Sequence, residues 1–358
     1  MASSALAAVA WASALGASAV SLSQPAGPRF GQGTEEAPVA VPRPADLSSW
    51  ASGPLFSRGL DSKASGFHHA EVRSLVGDYN LSVAAFDYWV DQGVSGGLLG
   101  GSGWETERIS ELCRLYRSNG AVGNFLDVGA NIGTFTIPLA DCIRSTGGRV
   151  FAVEGMPPTV DHLAAGILEN KLDNVDMYNY AVGAPDDPPK VTMSLNPVNK
   201  GGSAVKGNKP FTVMGEEELQ KLFHPSKKAQ TYAEKVAVME YEVPLTTGDL
   251  MLQHNPAMKA IHIAKVDIEG HEGHFIKGSQ LLFSEFPPCI LTIELIEDWL
   301  ERAGTPAGEI LDLLAGWGYK NVPTAAELKK RGTQGHTLTI HQKRMGACLN
   351  RVRSFAQA

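Results

Sequence analysis

The chain has 358 residues, with 31 Lys and Arg against 38 Asp and Glu, for a net charge of −7. Without a dense basic block, that balance argues against broad nucleic-acid binding, which needs clustered cations to neutralise phosphates. A hydrophobic content of 43% allows a sizeable core. No apolar run of about 18–20 residues occurs in the body of the chain, which excludes a multi-span membrane protein.

Residues 1–22 are small and apolar, and the first charge after the terminal amine is Arg29. The apolar stretch has the length of a signal-peptide core, and Ala17-Ser18-Ala19 offers a cleavage-like site. Targeting to the secretory pathway or an organelle lumen is the expectation, with a cytoplasmic protein as the alternative. The sequon Asn80-Leu81-Ser82 is compatible with a secretory route. Residues 23–66 read as a linker, because their Pro, Gly, Ser and Ala cannot bury enough surface to offset ordering. Apolar residues return over 67–92 and suggest a short helix or two. The stretch 93–103 holds six Gly in eleven positions and reads as a loop, either a connector or a cover near a site. Residues 67–103 together form an expected helical extension with a Gly-rich loop.

The folded domain is expected over 104–345, followed by a tail over 346–358. The pattern alternates. A helix over 104–120 precedes an apolar run ending at Val128, a glycine turn and a second helix. Strands are expected at 149–155, 175–183, 260–270 and 289–295, helices at 159–172, 271–283 and 306–318, and two closing strands after them. This rhythm predicts an α/β fold with a parallel sheet covered by helices on both faces. A long insertion over about 184–259 interrupts it. The four cysteines, Cys113, Cys142, Cys289 and Cys348, are scattered without a CxxC pair, which excludes a zinc ribbon and a fold built on a disulfide framework.

Ligands of such sheets bind at the carboxyl ends of the strands. The first strand end, Asp127-Val128-Gly129-Ala130-Asn131-Ile132-Gly133, has a glycine for the tight turn and an Asn at a position suited to positive φ. Gly133 permits close packing behind it. The spacing G-x-x-x-G is not the dinucleotide fingerprint G-x-G-x-x-G. Asp127 suits a ligand with an ammonium group, and Glu154 at the next strand end suits a ribose diol. Ala181 and Val182 offer an apolar wall for a base. Together these point to S-adenosylmethionine. The fourth strand end gathers Asp267, Glu269, His271, Glu272 and His274 within eight residues. Asp267 and His271, with Glu269 beside them, are the candidate catalytic residues, since a hydroxyl acceptor benefits from a base. Glu269 and Glu272 are equally readable as acids favoured by a helix N-terminus. Asp267, His271 and Glu294 could ligate a metal but lack a diagnostic spacing, so no metal is expected.

The segments FLDVGANIGTFT (125–136), VFAVEGMPP (150–158), ENKLDNVDMYNY (169–180) followed by AVG, and KVDIEGHE (265–272) followed by FIKG resemble the FkbM family of S-adenosylmethionine-dependent methyltransferases. The resemblance covers about residues 104–345. It implies a class I methyltransferase fold, a Rossmann-like seven-stranded sheet whose last strand pair is antiparallel. It also implies methyl transfer, usually to oxygen, on a small-molecule or glycan acceptor such as a sugar. By motif match, Asp127, Gly129, Asn131, Gly133 and Glu154, with Ala130 inside the loop, would bind the cofactor. The family's usual Asp-Asp-Leu reads Thr247-Gly248-Asp249-Leu250 here. The insertion carries seven lysines between Lys200 and Lys235, which would favour anionic acceptors if they cover the site. Two rival readings remain at this point, an NAD-dependent oxidoreductase and a methyltransferase-like binding domain without catalysis.

Overall fold

A computed structural model describes residues 42–51, 68–86, 91–196, 199–208, 239–330 and 337–357. The expected targeting segment lies outside the described residues, as do most of the expected linker and the lysines Lys209, Lys221, Lys227, Lys228 and Lys235. What is described of the linker is docked. Ala45 donates its N–H to the Met177 carbonyl, and the helix Leu47–Ala51 packs on the helix Pro157–Glu169.

Where helices were expected over 67–92, the described residues form an antiparallel hairpin, β1 (His68–Arg73) and β2 (Asn80–Ala85). The physical reason is a period of two. Leu81, Val83 and Ala85 alternate along β2 and are buried, and Gly77-Asp78 supply the turn. The Gly-rich stretch contains a short helix, Val94–Leu99, whose Val94 and Leu98 enter the core.

The main sheet has seven strands in a mixed α/β fold. Its strands are β3 (Asn124–Val128), β4 (Val150–Val153), β5 (Val175–Tyr178), β10 (Ile261–Val266), β11 (Ile290–Glu294), β12 (Tyr319–Lys320) and β13 (Thr337–Gln342). The spatial order is β12-β13-β11-β10-β3-β4-β5. The five strands from β11 to β5 are parallel, while β13 is antiparallel to both β11 and β12. Every residue of β3, β4 and β10 is buried, which is what a strand covered on both faces requires. From β3 the chain fills one half of the sheet and then returns to place β10 on its other side. The reversal leaves a crevice between the carboxyl ends of β3 and β10.

The described part of the insertion forms a second, four-stranded sheet of order β6-β9-β7-β8: β6 (Ala181–Val182), β7 (Lys190–Leu195), β8 (Ala204–Val205) and β9 (Met239–Thr246). After β9, Thr247 caps the helix Gly248–His254 by accepting from the Leu250 N–H. A Cβ on Gly248 would stand 2.1 Å from Ser279 Oγ, so an Asp at this position has no room. Asp249 accepts from the N–H groups of Leu281 and Leu282.

The expected tail is a helix, Met345–Ala356, with Cys348, Leu349 and Val352 buried. The cysteines also correct the sequence reading in part. They form two disulfides, Cys113–Cys142 and Cys289–Cys348. Cys113 and Cys142 lie within the large apolar core, while Cys289 and Cys348 form a small buried cluster with Leu349 and Val352, so the bonds add to apolar packing rather than replace it. No described helix is long and apolar enough to cross a membrane.

His162 is buried against the hairpin. Its Nδ1 lies 2.8 Å from the Ala84 carbonyl oxygen, and its ring stacks on Phe86 at 3.7 Å. Burial pushes this imidazole down to about 3. The unfolded chain therefore takes up a proton near pH 6.5 that the folded chain refuses, and His162 costs stability as pH falls below that value. Urea unfolding of the wild type and His162→Phe should show the wild type losing ground by about 1.4 kcal/mol per pH unit from pH 6 downward. A gap that does not change with pH would mean that the folded imidazole is charged.

Candidate active site

The loop after β3 is shaped by close approach. Gly129 has φ 80°, and a Cβ there would stand 1.8 Å from the Asp267 carbonyl oxygen. The ends of β3 and β10 therefore touch backbone to backbone, which only glycine allows. Asn131 adopts φ 52° as expected of it. The N–H groups of Gly129 and Ala130 both donate to the Val153 carbonyl, each at 2.9 Å. The cleft beside this loop is lined by Gly129, Asn131, Glu154 and Ala181, and on its other side by Asp267 and Glu269.

Glu154 is clamped in place. Oε2 accepts from the Asn131 N–H at 2.9 Å, and Oε1 accepts from the Met156 N–H at 2.8 Å. Burial pushes its carboxyl up, against the two backbone N–H groups that hold it down. Each oxygen keeps lone-pair capacity on the cleft side. Ala130, by contrast, is buried in the apolar core. Gly133 (φ 93°) sits behind the loop, where a Cβ would crowd Ile137 and Leu163.

Asp127 is not where the sequence suggested. It is fully buried and accepts from Thr136 Oγ1 at 2.6 Å. Its Oδ1 lies 3.6 Å from Lys265 Nζ. Lys265 donates to the Gly129 carbonyl at 2.7 Å, stands 3.5 Å from Asp267 Oδ2, and lies over the Phe135 ring. Burial alone would push this ammonium down, but Asp267 and Asp127 outweigh it and the net shift is upward. A lysine inside an all-buried strand thus ties two strand ends together, and Asp127 is its buried counter-charge beneath the loop.

Asp267 is one-third exposed and faces the cleft. Glu269 lines the cleft as well, with φ 57°. Glu294, at the next strand end, is pushed well up by burial and then by the neighbouring acids Asp267, Glu269 and Glu272. Burial raises Glu272 to about 8 despite the N–H groups of Ile268 and Gly270 on its Oε1. Glu272 secures the turn rather than facing the cleft.

His271 touches the cleft, but its ring nitrogens are turned elsewhere. Nδ1 is 2.8 Å from Asn208 Nδ2, and Nε2 is 3.6 Å from Asp187 Oδ2. The ring stacks on His274 at 4.2 Å, and His274 Nδ1 lies 2.9 Å from both Asp187 oxygens. Burial pushes His271 down, whereas the Asp187 hydrogen bond pushes His274 up. The structure brings His271 to Asp187 and His274, not to Asp267 and Glu294 as a metal reading of the sequence had grouped them.

The sequence profile of the FkbM methyltransferase domain matches residues 127–320, more than half of the chain. The chain belongs to the FkbM methyltransferase family. No curated protein sequence matches it. Among solved structures, a methyltransferase FkbM from Methylobacillus flagellatus is similar at 18% identity, over 55% of this chain and 37% of that one, with a TM-score of 0.30. The chain thus spans little more than a third of that protein's length.

Within this FkbM domain, sequence reasoning missed Lys265, Thr136 and Asp187. Lys265 had a signal, because a lysine flanked by apolar strand residues needs a buried partner. Asp187 had none, since it reaches the site only through the fold of the insertion. Val94 and Trp104 also line the cleft, so the Gly-rich stretch and the residue after it supply part of its wall. Lys200 lines it too, and burial pushes its ammonium down to about 8.

Proposed function

We propose that this protein is an S-adenosylmethionine-dependent methyltransferase acting on a hydroxyl of a sugar, lipid or other small metabolite. The observation that carries the reading is Glu154, a buried carboxylate held by two backbone N–H groups and lining the cleft beside the glycine loop. It stands at the end of β4, next to the β3–β10 reversal of strand order, where it can offer a ribose diol two acceptor oxygens. The strand order and the antiparallel last pair support a class I methyltransferase sheet. When bound, the cofactor supplies a methyl group on a sulfonium. The chain's own work is to orient the acceptor, exclude water and take the acceptor's proton. Asp267 is the carboxylate placed for that proton, and Lys265 fixes its position against the Gly129 loop. Gly129, Asn131 and Ala181 shape the cofactor side, while Asp127 supports them from below. Trp104, one-third exposed at the cleft, offers an apolar face to an acceptor ring. Two disulfides support folding in an oxidising compartment, in keeping with a targeted N-terminus.

Isothermal titration with S-adenosylmethionine tests the ribose assignment. Glu154→Ala removes the diol acceptor and orphans two N–H groups, and affinity should fall roughly 10- to 100-fold. Glu154→Gln sets an amide N–H against one of those donors and should fall in between. Unchanged affinity in Glu154→Ala would remove Glu154 from the cofactor site.

A further inference from the structure

We propose that Asp187, His271 and His274 form a binding site for a divalent transition-metal ion of the zinc type in the wall of the cleft. Each of the three offers one ligand atom, and these atoms all lie within 4.8 Å of one another. His271 Nε2 to Asp187 Oδ2 is 3.6 Å, and His274 Nδ1 to Asp187 is 2.9 Å. A tetrahedral zinc site with bonds of about 2.0–2.2 Å sets its ligand atoms about 3.3–3.6 Å apart; the Asp187–His271 spacing matches that, while the Asp187–His274 pair opens slightly and one imidazole turns on binding.

The proton inventory strengthens the case. His274 Nε2 lies 2.7 Å from the Ala303 carbonyl oxygen, which can only accept, so Nε2 carries the proton. Nδ1, 2.9 Å from both Asp187 oxygens, then either carries a second proton, as an imidazolium paired with the carboxylate, or gives its lone pair to a metal ion shared with Asp187. His271 Nε2 is buried and makes no hydrogen bond within 3.5 Å among the described residues; Asp187 Oδ2 faces it at 3.6 Å. Its other nitrogen is held by Asn208. With that amide turned over, which preserves its shape, Nδ1 donates to Oδ1 and Nε2 offers its lone pair toward Asp187. His274 thus has the outer hydrogen bond to a carbonyl that orients metal-bound histidines, and His271 would gain the equivalent bond to an amide oxygen once Asn208 is turned over.

The scaffold suits the role. His271 and His274 sit three residues apart at the start of the helix Glu272–Lys277; their rings stack nearly parallel, 4.2 Å between centroids, so one ring turns to bring both in-plane lone pairs onto a single ion. Asp187 comes from the turn between β6 and β7, where its Oδ2 also accepts from the Ala184 N–H. Two imidazoles and one carboxylate favour zinc, iron or cobalt over magnesium or calcium. The ion would join the insertion to the end of β10 beside the acceptor side of the cleft, with remaining positions open to water or an acceptor oxygen.

The test uses the untagged full chain, stripped with chelator and titrated with zinc chloride and, separately, magnesium chloride, without cofactor. Zinc should bind once per chain at micromolar or lower concentration, and magnesium should not. Asp187→Asn and His274→Gln should each weaken zinc at least about tenfold while keeping the wild-type far-ultraviolet dichroism. Cobalt added to the wild type should give the visible absorption of a nitrogen- and oxygen-bound ion, a readout that needs no variant to fold. No zinc binding, no cobalt spectrum, or equal zinc affinity in both folded variants would overturn the site and leave a proton as the bridging cation.

Discussion

Asp267→Asn should lower turnover by about 10²–10⁴-fold, the usual loss when a general base is removed. The substitution keeps the shape of the side chain and its place beside Lys265, 3.5 Å away. Cofactor affinity should change less than turnover, because the ribose acceptor Glu154 and the backbone of the Gly129 loop are left intact. His271→Ala should not mimic it, since both ring nitrogens of His271 face Asn208 and Asp187 instead of the cleft. The measurement is single-turnover transfer of a labelled methyl group from S-adenosylmethionine to acceptors in a cell extract. If Asp267→Asn keeps near-full rate while His271→Ala loses it, the roles of the two residues are exchanged.

Reduction of both disulfides should bring the chain close to its unfolding threshold. Cys113–Cys142 joins the helix Thr106–Ser118 to the helix Thr136–Arg144, which follows the Gly129 loop, and spans 29 residues. Cys289–Cys348 joins the residue before β11 to the C-terminal helix across 59 residues. Constraining loops of these lengths in the unfolded chain contributes about 3–4 kcal/mol each. Together that rivals the whole net stability of a domain, about 5–15 kcal/mol. Urea unfolding with and without reductant, and of the Cys→Ala pairs, measures it. A midpoint that does not move with reductant would mean that the bonds are absent in solution or that the unfolded chain stays compact without them.

The strand ends were legible because each couples an apolar run to a glycine turn, and that grammar located Gly129, Glu154, Ala181 and Asp267 at one cleft. The direction of Asp127 was not, because successive strand side chains face opposite ways. Its partners, Thr136 on the following helix and Lys265 on the neighbouring strand, appear only once β10 lies beside β3. The hairpin of β1 and β2 was misread because a few apolar residues fit either period, and Gly77-Asp78 carried the deciding turn. Disulfide pairing followed the fold rather than the spacing of the cysteines. The trio of Asp187, His271 and His274 depended on an insertion whose pairing across about eighty residues leaves no local pattern.

The proposed function requires the cleft at the ends of β3, β4 and β10 to bind S-adenosylmethionine. Calorimetric titration of the wild-type chain with S-adenosylmethionine, its demethylated product and NAD tests it most directly. One site per chain is expected for the first two, in mutual competition, and no heat from NAD. Binding of NAD in place of S-adenosylmethionine would contradict it.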